Sequence, residues 1–111
     1  MDNIEKYRQI IEKILTEYAS IPYAHGDLEI KLIISKDLNN YLLITQGWEN
    51  DVRVHGCVVD IEIIDGKIWV QRDGTEDGMA NELVLSGVPK DDIVIGFQPP
   101  ELRPFVEYAV S

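Results

Sequence analysis

Residues 52–73 read VRVHGCVVDIEIIDGKIWVQRD, and the spacing of apolar residues in this stretch decides the fold class. From residue 57 to residue 63 every second position is apolar, which is typical of a strand with one buried face. Asp65-Gly66 follows, and this pair favours a two-residue type I′ hairpin, which needs positive φ at both central positions. We therefore predict a strand over 52–64, a tight turn, and a second strand over 67–72.

The apolar phase of the first of these strands changes near its start. Val52 and Val54 occupy even positions, whereas Cys57 and the apolar alternation after it occupy odd positions. A β-bulge near Gly56 would place both apolar sets on one face, so we predict a bulge there. On this interpretation Cys57 is a buried, unreactive thiol and His55 lies on the opposite face from it.

The chain on the amino-terminal side predicts one helix and two more strands. The first segment carries apolar residues at three- and four-residue spacing, with Asp2 or Asn3 as its cap: Ile4, Tyr7, Ile11, Ile14, Leu15 and Tyr18. From Asp27 the period changes to two, which predicts a strand to residue 34 and a second over 41–48.

The chain on the carboxyl-terminal side predicts a second helix, a short strand and a last helix. Thr75 would cap a helix whose inner stripe is Met79, Ala80, Leu83 and Val84. Residues 93–97 form a short apolar run, and Pro100 can open a helix through Tyr108. The fold class is therefore α+β: an antiparallel meander sheet of about four to five strands with an N-terminal helix, a middle helix and a short C-terminal helix. The 111 residues suffice for one domain, 1–111.

Composition places the chain among soluble proteins of a reducing compartment. Its hydrophobic fraction of 45% and charged fraction of 27% are ordinary for a globular domain, and its single cysteine excludes an internal disulfide. The start is polar and helical in pattern, unlike a signal peptide, and no apolar run approaches the ~20 residues that span a bilayer. We expect a cytoplasmic protein without membrane contact.

The balance of charge limits the possible partners. The chain has 20 acidic residues against 10 lysines and arginines, a net charge of −10. Residues 60–92 hold nine of the acids and three of the bases, a local balance of −6. Because phosphate backbones are bound by clustered basic residues, which the sequence lacks, we expect no direct nucleic-acid binding. An acidic surface attracts basic proteins instead, although acidity can also serve solubility alone.

The sequence offers little material for catalysis or metal binding. Its two histidines, His25 and His55, show no metal-ligand spacing with each other or with Cys57. Asp65-Gly66-Lys67, which follows Asp60 and Glu62, resembles a nuclease site only weakly and is explained by the hairpin turn. We predict no catalytic residues, no metal site and no cofactor, and hence no enzyme.

Longer segments of the sequence resemble a known protein family. GKIWVQRDGTEDGMANEL at residues 66–83 and LSGVPKDDIVIGFQPPELR at residues 85–103 closely resemble the XisI-like family. The resemblance extends to YRQIIEKIL, NYLLITQGW, VRVHGCVVDIEI and FVEYAV, and so covers nearly the whole chain. Members of this family are excision-controlling factors of a cyanobacterial DNA element within a nitrogen-fixation gene. The resemblance implies a small α+β domain and supplies no catalytic residue.

The resemblance also implies partners. In this family, excision of the DNA element involves a site-specific recombinase and a second factor. This XisH-like factor resembles nuclease-fold proteins. Such pairs have also been interpreted as toxin and antitoxin. Combined with the acidic charge, this favours a chain that binds and restrains, or directs, an XisH-like protein, with a homo-oligomer as a further possibility. The alternative hypothesis is a DNA-binding accessory factor that acts directly in excision, which the charge disfavours.

A candidate partner interface follows from residue types within the most specific blocks. Tryptophan and arginine are the residues that most often anchor interfaces. The candidates are Trp69, Arg72, Asp73, Thr75, Glu76, Pro100 and Arg103. The same residues also fit structural roles, with Trp69 in the core, Thr75 as a helix cap and Arg103 in an ion pair.

Overall fold

A computed structural model describes residues 3–21 and 27–111. Asp2, the alternative cap of the first helix, and His25 lie outside the described residues. The elements in chain order are α1 (Ile4–Ala19), β1 (Asp27–Ile34), β2 (Asn40–Glu49), β3 (Val52–Ile64), β4 (Lys67–Asp73), α2 (Met79–Leu85), a 3-10 turn (Lys90–Asp92), β5 (Ile93–Ile95) and a 3-10 helix (Pro100–Phe105). The helix spacing and strand periods found in the sequence therefore correspond to real elements, and the α+β prediction is confirmed.

The five strands form one sheet in the order β1-β2-β3-β4-β5. The first four are an antiparallel meander, as predicted, but β5 pairs with β4 in parallel. The sheet is therefore mixed. The reason is the connection between β4 and β5: α2 and the 3-10 turn carry the chain back, so β5 starts from the same end as β4.

The predicted hairpin turn between β3 and β4 is present. Asp65 and Gly66 have φ of 49° and 80°, as a type I′ turn requires. The predicted bulge is also present in β3, but it lies at Val58 rather than at Gly56. Leu43 opposes Val59 and Ile44 opposes Cys57, which leaves Val58 as the extra residue.

This shift of the bulge corrects the predicted position of Cys57. Cys57 lies on the same face as His55, two residues away, and not on the face of the buried set from Val59 onward. The thiol is half-buried and donates to the Val59 carbonyl at 3.3 Å. Burial, with a smaller contribution from Asp60, raises the pKa of the Cys57 thiol, so a nucleophilic thiolate is disfavoured at neutral pH.

The hydrophobic core lies between one face of the sheet, called here the inner face, and the two helices. Helix α1 contributes Tyr7, Ile11 and Leu15, and α2 contributes Met79 and Leu83. The sheet contributes Tyr41, Leu43, Val59, Ile61, Ile63, Ile68, Val70, Ile93 and Ile95. Both helices thus pack on the same side. The opposite face of the sheet, the outer face, carries no α-helix from the described residues, and the 3-10 helix reaches it beside Trp69 of β4.

Two helix boundaries differ from the predictions. Helix α2 begins at Met79, four residues after Thr75, with Gly78 at the N-cap position, so Thr75 is not its cap. The C-terminal helix is a 3-10 helix that ends at Phe105 and not at Tyr108. After it the chain returns to the sheet, where Ala109 forms a bridge with Val94 and donates to the Ile93 carbonyl. No helix in the described part of the chain is both long and apolar enough to cross a membrane.

Candidate protein-binding site

The seven candidate interface residues lie on two sides of the sheet. Trp69 and Arg72 lie on the outer face because they pair with Glu62 and Asp60, which alternate with the buried Ile61. Arg103 and Pro100 belong to the 3-10 helix next to them. Asp73, Thr75 and Glu76 lie at the opposite side, in the segment that leads into α2. The structure therefore does not bring all seven into one surface.

Arg103 and Trp69 form a contact that orders the end of the chain. The Arg103 guanidinium stacks on the Trp69 ring at 5.1 Å from its centroid, and Arg103 is only 9% exposed. The same side chain donates to the carbonyls of Gln98 at 3.2 Å, Gly96 at 3.4 Å and Val110 at 3.5 Å. Trp69 and Arg103 thus hold the C-terminal segment against the sheet, which is a structural role.

Asp73 and Thr75 build the turn before α2. The Asp73 carboxylate accepts from the Thr75 amide at 2.9 Å, from the Thr75 hydroxyl at 2.5 Å and from the Met79 amide at 2.7 Å. Thr75 Oγ1 in turn accepts from the Gly78 amide at 3.2 Å. Because Gly78 has no side chain to cap the helix, Asp73 supplies the capping oxygen from five residues earlier. Arg72, just before it, is exposed and donates to the Cys57 carbonyl at 2.8 Å.

A cleft of about 370 Å³ lies between the end of α1 and the beginning of α2. Its floor is apolar and comes from both helices and the turn after α1: Ile14, Tyr18, Ile21 and Met79. Met79 is fully buried, whereas Ile21 is largely exposed. Thr75 and Glu76 are part of the wall, so two of the candidate residues from the sequence do belong to a concave surface.

The rim of this cleft is acidic. Four carboxylates surround the apolar floor: Glu17, Glu76, Asp77 and Glu82. Among the described residues that line the cleft there is no lysine, arginine or histidine to neutralise them. An apolar floor with an acidic rim is suited to a long basic side chain, whose methylene stem packs on the floor while its charge meets a carboxylate.

The contribution of α1 to this cleft was not apparent from the sequence. Ile14 and Tyr18 belong to the apolar stripe of α1, yet both are only half-buried and reach the cleft. The signal that could have found them is Glu17, an acid beside this stripe in the last turn of α1, where the helix dipole favours a base. Within residues 3–21 and 27–111, no group of three or more His, Cys, Asp or Glu side chains is placed to hold a metal ion.

Comparison with known proteins agrees with the fold. A family model described as XisI protein matches residues 1–110. No protein with a curated description matches the chain. The crystal structure of a XisI-like protein from Anabaena variabilis is 40% identical, with 96% of this chain and 97% of that chain covered and a TM-score of 0.87.

A second crystal structure, of fdxN element excision controlling factor XisI from Anabaena variabilis, is 30% identical. It covers 99% of this chain and 100% of its own, with a TM-score of 0.83. Both relatives match along nearly their full length, and the family model spans residues 1–110 of this chain. The chain therefore belongs to the XisI family.

Proposed function

We propose that this chain is a non-enzymatic excision-controlling factor that acts by binding a basic protein partner in the acidic cleft between α1 and α2. The similar protein from Anabaena variabilis is described as an fdxN element excision controlling factor, and this name is the reason for proposing a role in excision. The cleft is the reason for proposing that the role is carried out by binding a protein. It is the observation that carries the proposal, because it joins an apolar floor to four carboxylates on one concave surface.

The geometry favours a protein segment rather than a small metabolite. The cleft is lined half by polar and half by apolar side chains, and its acids would repel the anionic phosphates and carboxylates of most metabolites. A lysine or arginine of a partner would form charge-assisted hydrogen bonds with Glu76 and Asp77 and cover Ile14 and Tyr18 with its stem. The net charge of −10 adds long-range attraction of a basic partner.

The partner that this chemistry fits is a basic, nuclease-like protein of the XisH-like kind. A protein that binds nucleic acid presents a basic groove, and an acidic partner can mask it. Masking would restrain the nuclease, as an antitoxin does, and release would direct it, together with a recombinase, to excision. The alternative, a DNA-binding accessory factor, requires a basic surface in this chain, and the rim of the cleft is acidic instead.

The test is binding of an immobilised XisH-like protein at low and high ionic strength. We expect association to be faster at low salt, because salt screens steering by opposite charges. Glu76→Lys combined with Asp77→Lys should slow association at least tenfold. This corresponds to an increase of about 1.4 kcal/mol in the activation free energy of association. The matched control is Glu49→Lys with Glu101→Lys, which changes the net charge equally at exposed residues outside the cleft.

Three results would contradict the proposal. Equal effects of the two charge-reversed variants would mean that net charge, and not the cleft, controls binding. Absence of binding at both ionic strengths would remove the basic partner. Tight binding of duplex DNA by this chain alone at ~150 mM salt, where screening acts beyond about 8 Å, would favour the accessory factor.

A further inference from the structure

The outer face of β1, β2 and β3 carries exposed apolar side chains among charged ones, and no described helix covers it. Trp48 is 52% exposed and Ile33 is 40% exposed, and Leu42 and Ile44 beside them are half-buried. Strand registers place Ile33, Leu42 and Ile44 together, since Ile33 opposes Leu42, and Trp48 lies further along the same face of β2, beyond Gln46. Large apolar side chains exposed on one face of a sheet are a feature of interaction sites.

The charge of this face suits a second copy of the same chain. Strands β1 to β4 place four acids and four bases on it: Asp27, Glu29, Asp60, Glu62, Lys31, Arg53, Lys67 and Arg72. Its formal charges therefore balance, in a chain whose total is −10. Two copies that meet through any strongly acidic surface repel each other, whereas two outer faces meet almost without net charge.

The charges are also arranged so that the face complements itself. Asp27 in β1 and Arg53 in β3 both lie directly opposite Trp48 of β2, one on each side of it. Glu29 and His55 flank Gln46 in the same way. A two-fold axis that runs along β2 exchanges the positions of β1 and β3, so it brings Asp27 to Arg53 and Glu29 to His55 of the other copy.

We propose that two copies of this chain pair through their outer faces about a two-fold axis along β2. Asp27 of each copy then lies opposite Arg53 of the other, and Leu42, Ile44 and Trp48 pack against their own counterparts as in two stacked sheets. Arg53 is already held in position within its own chain, because its guanidinium lies over the Trp48 ring, 5.5 Å from the ring centroid. The two acidic clefts lie on the helix side and remain open outward, so pairing and partner binding use different surfaces.

The test is a charge swap measured by analytical ultracentrifugation over a wide range of protein concentration. Asp27→Arg and Arg53→Asp should each weaken dimerisation at least tenfold, because each places like charges together twice across the axis. The variant that carries both changes should recover dimerisation to within about threefold of the unchanged chain. Trp48→Ser should abolish it, whereas Leu85→Ser, at an even more exposed apolar residue on α2, should leave it unchanged.

All substituted side chains are exposed, so folding should persist, and circular dichroism with thermal melts verifies this for every variant. A chain that stays monomeric at every concentration would overturn the proposal. A dimer that the single charge changes do not weaken, or that the double change does not restore, would place the interface elsewhere. Loss of dimer in Leu85→Ser but not in Trp48→Ser would assign pairing to the helix side and equally overturn it.

Discussion

At the scale of single residues, the segment from Asp73 to Gly78 is a compact hydrogen-bonded turn. The sequence motif Asp-Gly-Thr-Glu-Asp-Gly superficially resembles a calcium-binding loop. Its first carboxylate, however, accepts hydrogen bonds from within the same segment. Asp73 accepts three hydrogen bonds, two from Thr75 and one from the first amide of α2. The side chains that remain available to a partner are the exposed Glu76 and Asp77. One motif thus combines a structural half with the half that we propose to contact the partner.

This division predicts different costs for neighbouring substitutions. Asp73→Ala removes all three acceptor bonds and should lower the free energy of unfolding by about 1–2 kcal/mol. Thr75→Ala keeps the bond between Asp73 and Met79 and should cost about 0.5–1 kcal/mol. Asp77→Ala, an exposed acid in the same turn, is the control and should change stability by less than about 0.5 kcal/mol. Urea denaturation measures all three, and a larger cost for Thr75→Ala than for Asp73→Ala would contradict Asp73 as the capping residue.

At the scale of elements, the C-terminal segment completes the sheet. Strand β5 has only three residues and pairs with β4 on one side, while Ala109 bridges Val94 on the other. The 3-10 helix between them crosses to the outer face, where Arg103 stacks on Trp69 and donates to three carbonyls. One arginine thus satisfies backbone acceptors of a segment that has few hydrogen bonds of its own.

Removal of this arginine should therefore loosen the end of the chain rather than the whole fold. Arg103→Ala leaves three backbone carbonyls without this donor, removes the stacking on Trp69 and should cost about 2 kcal/mol. Arg103→Lys should restore only part of this, because an ammonium cannot reach three carbonyls and stack on the ring at once. Hydrogen exchange should accelerate most in residues 96–110. Uniform acceleration that includes β2 and β3 would show that Arg103 stabilises the core instead.

At the scale of the whole molecule, α1 is tied to the second half of the chain by a buried hydroxyl. Tyr7, 2% exposed, donates to the carboxylate of Asp92 just before β5, which is 85 positions away in sequence. Burial, followed by the hydrogen bond to Asp92 and its charge, raises the pKa of Tyr7 to about 12 from an ordinary value of 10.0. The folded chain therefore holds this proton more tightly than the unfolded chain does.

This proton makes stability depend on alkaline pH. Because the folded-state pKa is raised, the stabilisation is fully present below pH 10 and is lost as pH rises toward about 12. Urea denaturation across that range should show a fall in the free energy of unfolding. Tyr7→Phe should be less stable by about 1 kcal/mol at neutral pH and should fall less steeply above pH 10. Parallel curves for the two proteins would mean that other groups cause the alkaline loss.

Much of the fold follows from local chemistry in the sequence. The strand and helix patterns, the Asp65-Gly66 turn and the resemblance of residues 66–103 to the XisI-like family all correspond to what the structure has. These features depend on neighbours within a few positions, since side-chain period and turn φ are properties of short segments. The acidic surplus is also determined by the sequence, because net charge follows from the numbers of acidic and basic residues alone.

Only the tertiary structure decided which residues share a surface. The bulge lies at Val58 and not at Gly56, so it follows Cys57 and leaves Cys57 on the outer face, since each added residue exchanges the two faces of a strand. The parallel direction of β5 depends on how α2 returns the chain, which no local pattern encodes. The acidic cleft joins Glu17 to Glu76, and the outer face places Asp27 and Arg53 on either side of Trp48. Such surfaces combine residues far apart in the chain, so they exist only once the helices and strands have packed.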